Sequence, residues 1–403
     1  MPSPLEGIRV IDWTIWQQGP VCSVMLADLG AEVIKIEDRI NGDPGRSLTR
    51  AVGLDHDDRP NFYFEATNRN KRSLTLDLKN PQGREVLYAL VAKSDVFVQN
   101  FRGGVARRLG VDYETLRKHN PKLIYASGSG YGAQGPEADE PSFDRLALAR
   151  SGLMLAAGES GMPPCGIAEG IADQVGAITL SHGILSALVA RERFGVGQEV
   201  HASLLGSMAW LQNLSLSSRL MMGAAIPRGD RKRATNPLWN HYQCGDDQWL
   251  AMGMLQADRY WPTFCEAIER GDMITDERFS TLQERARHSQ ECIAIIDLVF
   301  ATKSRDQWLD ILQKAGDLIV TAVNSVDDVP NDPQVVANGY VQDFEHPQFG
   351  DTQVIGHPVS LSETPAEVRH AAPEFGQHTE EVLQDVLGFS WEQIENLRNS
   401  EAI

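Results

Sequence analysis

Short runs of β-branched and apolar residues alternate along the chain with longer segments in which apolar residues recur at helical spacing. The run "IRVIDW" (8–13) predicts a strand, "GPVCSVMLADLG" (19–30) a helix closed by Gly30, and "AEVIKIE" (31–37) a second strand. Strand, helix and strand in that order make a βαβ unit, which implies a parallel pair joined by a right-handed crossover. The pattern continues through "SLTLDL" (73–78), a helix over 81–94 opened by Pro81, "DVFVQN" (95–100), a helical stretch around 113–119, and "KLIYASGSG" (122–130). The first half therefore predicts a Rossmann-like α/β layer.

Beyond Asp173 the apolar residues again keep helical spacing, and "FGVGQEVHASLL" (194–205) predicts a turn and a strand leading into a helix through Trp210. A polar, basic loop, "IPRGDRKRATNP" (226–237), marks a change of character. A hairpin over 241–252, turning at Gly245 and Asp246, is followed by amphipathic helices around 258–270, 281–301 and 304–315. From Val329 onward Pro330, Pro333, Pro347, Pro358, Pro365 and Pro373 break the chain into short pieces, before a helix around 378–387. These shifts divide the chain into a large α/β domain (1–225), a smaller α+β domain (226–328) and a C-terminal segment (329–403).

With 403 residues, 42% of them hydrophobic, the chain can bury the cores of two compact units. The opening "MPSPLEGIRVIDW" lacks a basic n-region and a long apolar core, and no apolar run approaches the roughly 20 residues that span a bilayer. A cytoplasmic protein that does not enter membranes is expected. Its cysteines, Cys22, Cys165, Cys244, Cys265 and Cys292, are odd in number and widely spaced, which fits reduced thiols better than disulfides or a zinc site. The 37 Lys and Arg against 55 Asp and Glu leave a formal charge of −18, which argues against general nucleic-acid binding. An anionic ligand would need local basic pockets.

Candidate chemistry is sparse when read residue by residue. Glu37 ends the second strand where a ribose-binding acid often sits, yet the first turn, "DWTIWQQGP", lacks the glycines that close on a pyrophosphate. None of the ten histidines pairs at metal-ligand spacing, so no metal is expected, and no Gly-x-Ser-x-Gly elbow is present. The glycine-rich "GSGYGAQGP" (128–136) has no Lys-Ser/Thr ending and reads as a loop. Asp173 stands where small residues give way to the helical stretch "QVGAITLSHGIL". A carboxylate there can satisfy helix-start N–H groups, and the same helix end can keep it ionised as a nucleophile.

The order of segments carries more than any single one. "LEGIRVIDWT", "LADLGAEVIKIE", "GDPGR", "NRNKRSLTLDLKNPQGREVL", "SDVFVQNFRGG", "NPKLIYASGSGYGAQGP", "ADQVGAITLSHGILSALVARERFGVGQEV", "DPQVVANGYV" and "GQHTEEVLQDVLG" follow one another over nearly the whole chain. In that order they resemble the class III CoA-transferases, the family of formyl-CoA transferase, carnitine CoA-transferases and benzylsuccinate CoA-transferases.

The resemblance implies that Asp173 attacks an acyl-CoA thioester. It implies a CoA site lined by Gln17, Gln18, Arg39, Leu76, Asp77, Leu78, Lys79, Asn100, Phe101, Arg102 and Arg108. Coenzyme A thioesters would be substrates, with no tightly bound cofactor. It further implies an interlocked dimer, homodimer or heterodimer with a homologous subunit, whose large domain is built from both ends of the chain. Relatives that use oxalate differ at several places. Phe143 and Asp144 stand near the small-diacid site, "AMGMLQAD" (251–258) replaces a glycine-rich flap, "GDLIVTAV" (316–323) replaces a "GVPCGPV"-like segment, and the first turn carries Trp13 and Trp16. A medium-sized, partly apolar or aromatic acid is therefore expected as acceptor, with succinyl-CoA as one candidate donor. Two alternatives stay open. One is an α-methylacyl-CoA racemase, disfavoured because Phe143 occupies the position of the racemase histidine before Asp144. The other is a non-catalytic subunit of a heteromeric transferase.

Overall fold

Alternation of apolar side chains builds the central sheet. In a computed structural model that describes residues 2–50 and 61–403, strands β1 (Arg9–Trp13), β2 (Glu32–Glu37), β3 (Lys71–Thr75), β4 (Val96–Gln99), β5 (Ile124–Ser129) and β6 (Gln198–Ser203) form one sheet. Their order is β3-β2-β1-β4-β5-β6, and every neighbouring pair is parallel. Successive residues point to opposite faces. Ile11, Ile34 and Phe97 join a core with Leu87 and Leu90 on one side, whereas Val10, Val33 and Val98 join Leu26 and Ile184 on the other. Both faces are covered, as an all-parallel sheet requires.

The crossover helices follow the predicted pattern. Helix Gln18–Asp28 returns the chain from β1 to β2 and ends before Gly30, whose φ of 98° needs a glycine. Helix Pro81–Val91 starts after Asn80, whose side chain accepts the Gln82 N–H. The strand order reverses direction between β1 and β4. In such sheets the crevice beyond the carboxyl ends of the two diverging strands is the natural ligand site.

Contacts divide the chain into two compact units, Met1–Met154 with Gly166–Ala225 and Val336–Ile403, and Leu155–Cys165 with Ile226–Val335. In the second, β7 (Trp239–Gln243), β8 (Trp249–Gly253) and β9 (Val320–Val323) form an antiparallel sheet in that order. Its core mixes aliphatic side chains with the rings of Trp261, Phe264, Phe300 and Trp308. The helix expected over 281–301 is two helices, Leu282–Arg287 and Ser289–Phe300. The backbone of His288, at φ −105° and ψ 27°, leaves helical geometry between them.

The proline-broken stretch holds more structure than its composition predicts. β10 (Val341–His346) and β11 (Gly350–Ile355) pair as a hairpin, and helices Thr379–Asp385 and Trp391–Asn399 follow. The former helix brings Val382 and Leu383 into the core beside Leu74. All five cysteines are free thiols. Among the described residues no helix is long and apolar enough to cross a membrane.

Candidate active site

The turn after β1 and the turn after β4 open a cleft of about 720 Å³ at the point where the strand order reverses. Ile15, Trp16 and Gln18 come from the first turn, Asn100, Phe101 and Arg102 from the second, and Asp173, Phe143 and Leu204 complete its wall. A second cavity of about 250 Å³, lined by Leu76, Asp77, Leu78 and Lys79, shares Ile15, Phe101 and Val105 with the first. The two adjoin at these shared residues and are together termed the groove.

Asp173 sits in the first turn of the long helix Ile171–Phe194. Gly170 precedes that helix in a left-handed conformation (φ 74°), and a Cβ there would lie 2.6 Å from the Gln17 side chain. No side chain at the cap position satisfies the first N–H groups. Asp144 does so from the start of helix Asp144–Arg150, its Oδ1 accepting from Ala172 N at 2.6 Å and Asp173 N at 3.2 Å. The cap is thus supplied by a different helix, and the Asp173 carboxylate is left to face the cleft. Burial, reinforced by the negative charge of Asp144, pushes the Asp173 carboxyl up to about 7. Such a group is poised between acid and carboxylate near neutrality.

Most of the residues expected around CoA converge on this groove. Leu76 and Leu78 are buried, Lys79 stands at the rim, and Asp77 Oδ1 accepts the Lys79 N–H at 2.8 Å. Phe101 stacks on Trp13, with ring centroids 4.1 Å apart. Trp13, itself part of the core, lines the smaller cavity and not the larger cleft. Arg102 and Arg108 bring positive charge, while Asp139 and Glu140 stand on the same rim. Two expected residues lie outside the lining. Gln17 donates to Gly170 O at 3.2 Å, and Arg39 pairs with Glu401 at 2.9 Å.

Gln18 is 4% exposed, and its Nε2 has no hydrogen-bond partner among the described residues. It packs on Gly128, where a Cβ would approach its Oε1 to 2.6 Å. The nitrogen itself is sealed against the Asp173 helix, where a Cβ at Gly176 would lie 3.0 Å from it, and a buried amide without a partner is uncommon.

Beneath the turn lies a buried ionic layer that hydropathy could not reveal. Lys71 Nζ meets Asp12 Oδ2 at 2.8 Å and also donates to Pro20 O, Thr67 O and Asn68 Oδ1. Lys35 Nζ meets Asp43 Oδ2 at 2.8 Å. Sequence reasoning also missed Tyr63, whose phenol is pushed up by burial and by the charges of Asp173 and Asp43. Nothing local marks Tyr63, because only the fold brings it near an acid over a hundred positions away.

Comparison with known proteins identifies the family. The family model described as CoA-transferase family III matches residues 5–379. A (R)-2-hydroxy-4-methylpentanoate CoA-transferase of Clostridioides difficile is 30% identical over 99% of both chains. A formyl-CoA:oxalate CoA-transferase of Rhodopseudomonas palustris is 32% identical over 100% of this chain and 98% of that one. Among solved structures, a CAIB/BAIF family protein from Brucella suis superposes with a TM-score of 0.86 at 28% identity, covering 96% of this chain and 100% of that one. A match along nearly the entire chain, on a fold whose switch-point groove carries an acid, shows that this protein belongs to CoA-transferase family III.

Proposed function

We propose that the enzyme moves coenzyme A from an acyl-CoA donor, such as succinyl-CoA, to a medium-sized carboxylic acid with an apolar or aromatic part, and that Asp173 is the nucleophile. The observation that carries this reading is the Asp173 carboxylate in the wall of the groove, with its helix N-terminus already closed by Asp144. Ionised Asp173 attacks the thioester carbonyl, the C–S bond breaks, and a mixed anhydride and CoA thiolate result. The thiolate attacks the aspartyl carbonyl, releasing the donor acid and leaving an aspartyl-CoA thioester. The acceptor carboxylate then attacks that thioester, freeing the thiolate again. Attack by the thiolate on the acceptor acyl carbon yields the new acyl-CoA and restores Asp173. Each step exchanges one activated acyl bond for another, so water must be kept out.

Gln18 lines the cleft, and by turning its unpartnered amide nitrogen out of the wall it would donate to the oxyanion that forms at the attacked carbonyl. The CoA thioester lies along the joined cavities, with Leu76, Leu78 and Phe101 against its apolar portions and Lys79, Arg102 and Arg108 near its phosphates. Asn100, which brackets Ile15, and Asp77 shape the same lining. Gln17 orders the start of the Asp173 helix, and Arg39 reaches the phosphates by leaving Glu401. Ile15, Trp16, Phe143 and Leu204 around Asp173 favour a branched or aromatic acceptor over a small diacid. The name of the Clostridioides relative contains such a branched acid.

The active form in this reading is a dimer. Helix Asn213–Met222 buries none of its residues, and Leu220 and Met221 are 82% and 83% exposed, a patch that a second copy would cover. Incubation with succinyl-CoA, trapping with hydroxylamine or borohydride and peptide mass spectrometry test the chemistry. A modified Asp173 is expected, and an unmodified Asp173 with turnover intact rejects the role.

A further inference from the structure

No residue of the stretch "GDPGR" (42–46) has been given a role in the reaction just described, yet Gly42, Asp43 and Pro44 line the smaller cavity, and the aspartate is buried there. Asp43 is 2% exposed, and its carboxylate has two sets of partners. Oδ2 meets Lys35 Nζ at 2.8 Å, with both side chains sealed from solvent. Oδ1 accepts the N–H of Trp16 at 3.2 Å and that of Gly45 at 2.9 Å. Lys35 Nζ donates in turn to Thr14 O at 3.0 Å. Just past the end of β4, Asn100 accepts the Ile15 N–H at 3.0 Å and donates to the Ile15 carbonyl at 2.7 Å. Three consecutive residues, Thr14 to Trp16, are therefore gripped by side chains from separate strand ends.

The grip matters most at Trp16. Its φ of 65° lies in the left-handed region, which residues other than glycine enter only when their surroundings impose it. Glycine would adopt this turn freely. With tryptophan there, the turn places an indole on the cleft wall, where it meets Phe143 edge to face with centroids 6.3 Å apart at 83°. Both rings line the cleft with Asp173. The shape of the wall is set by a backbone conformation, and that conformation is held by a buried, neutralised carboxylate.

Building on the transferase reading, we propose that Trp16 determines which acceptor acids are used, and that Asp43, paired with Lys35, is a positioning residue that holds the indole against Phe143. Asp43 touches no reacting atom in this scheme. It acts only through Trp16.

The test uses full-length enzyme loaded with CoA from an acyl-CoA donor and challenged with acetate, 4-methylpentanoate or 3-phenylpropanoate. The quantity read is kcat/KM for each larger acid divided by that for acetate. Trp16→Gly is expected to lower this ratio at least about tenfold, and Trp16→Phe to restore most of it. Asp43→Asn is expected to lower the ratio in the parent enzyme but not in the Trp16→Gly background, because residues acting through one path are not additive. An unchanged ratio in Trp16→Gly overturns the specificity role, and equal losses from Asp43→Asn in both backgrounds overturn the positioning role. Should Asp43→Asn fail to fold, the glycine and phenylalanine variants at position 16 decide the inference. Parent enzyme that forms the Asp173 adduct but prefers acetate, or uses none of the three acids, also overturns it. Parent enzyme that forms no adduct removes the transferase reading instead.

Discussion

Asp144 Oδ1 accepts the backbone N–H of Asp173 at 3.2 Å, so one carboxylate closes the helix that carries the other and sets its electrostatic surroundings. The helix N-terminus favours the charged form of Asp173, but burial and the Asp144 charge outweigh it and raise the carboxyl to about 7.

A pH dependence follows with a definite sign. Because the pKa is raised, Asp173 is mostly protonated below about 7 and mostly ionised, the form the proposed attack needs, above it. Donor kcat/KM is expected to fall about tenfold per pH unit on the acid side and to level off on the alkaline side. In Asp144→Asn the like charge is gone, so the acid limb moves to lower pH. A pH–rate profile of both proteins, with the donor below saturation, checks this.

Stability should separate the two acids in the opposite sense to activity. Asp144→Ala removes the acceptor for two helix-start N–H groups and is expected to cost about 1 kcal/mol, whereas Asp173→Ala removes a buried carboxylate and costs less. If Asp173 is the nucleophile as proposed, Asp173→Ala is expected to abolish CoA transfer all the same. Denaturant melts beside transfer assays give both comparisons.

Gln18→Leu is expected to leave folding nearly intact, since the amide nitrogen has no partner to lose. Loss of an oxyanion donor should lower kcat about 100-fold or more. A fall in KM-dependent terms alone would place the amide on bound substrate instead.

The buried pair below the turn predicts a large energetic asymmetry. Asp12→Ala strands the Lys71 ammonium, which is wholly buried, and should cost about 3–5 kcal/mol. The joint variant Asp12→Leu, Lys71→Met should cost less than the sum of its single changes. A double-mutant cycle by urea unfolding measures the difference.

How much of this was readable in the chain varies with the range of the interaction. The strands and crossover helices of the first unit were legible because Val10 and Ile11, or Val33 and Ile34, alternate between two covered faces, and because Gly30 stops a helix. The place of Asp173 in the first turn of a helix was legible in the sequence, but its plain reading as the helix-start cap holds only by position. Asp144 supplies the actual cap, a relation between two helices that no local pattern encodes. The hairpin β10–β11 was hidden because its neighbouring prolines read as breaks, although none lies within either strand. The split at His288 was hidden for the converse reason, since amphipathic spacing runs unbroken across it. Tyr63 and the Lys35–Asp43 pair depend on tertiary placement alone.

The tie between β3 and the segment that follows β11 has a consequence for biosynthesis. His378 Nδ1 accepts the Ser73 N–H across 305 positions, and Val382 and Leu383 cover Leu74. At roughly 5–20 residues per second, a ribosome takes on the order of 15–60 s to deliver that cover after β3 has been translated. Throughout that interval a nascent apolar edge waits without its lid, and this is where chaperone dependence of expression should first show.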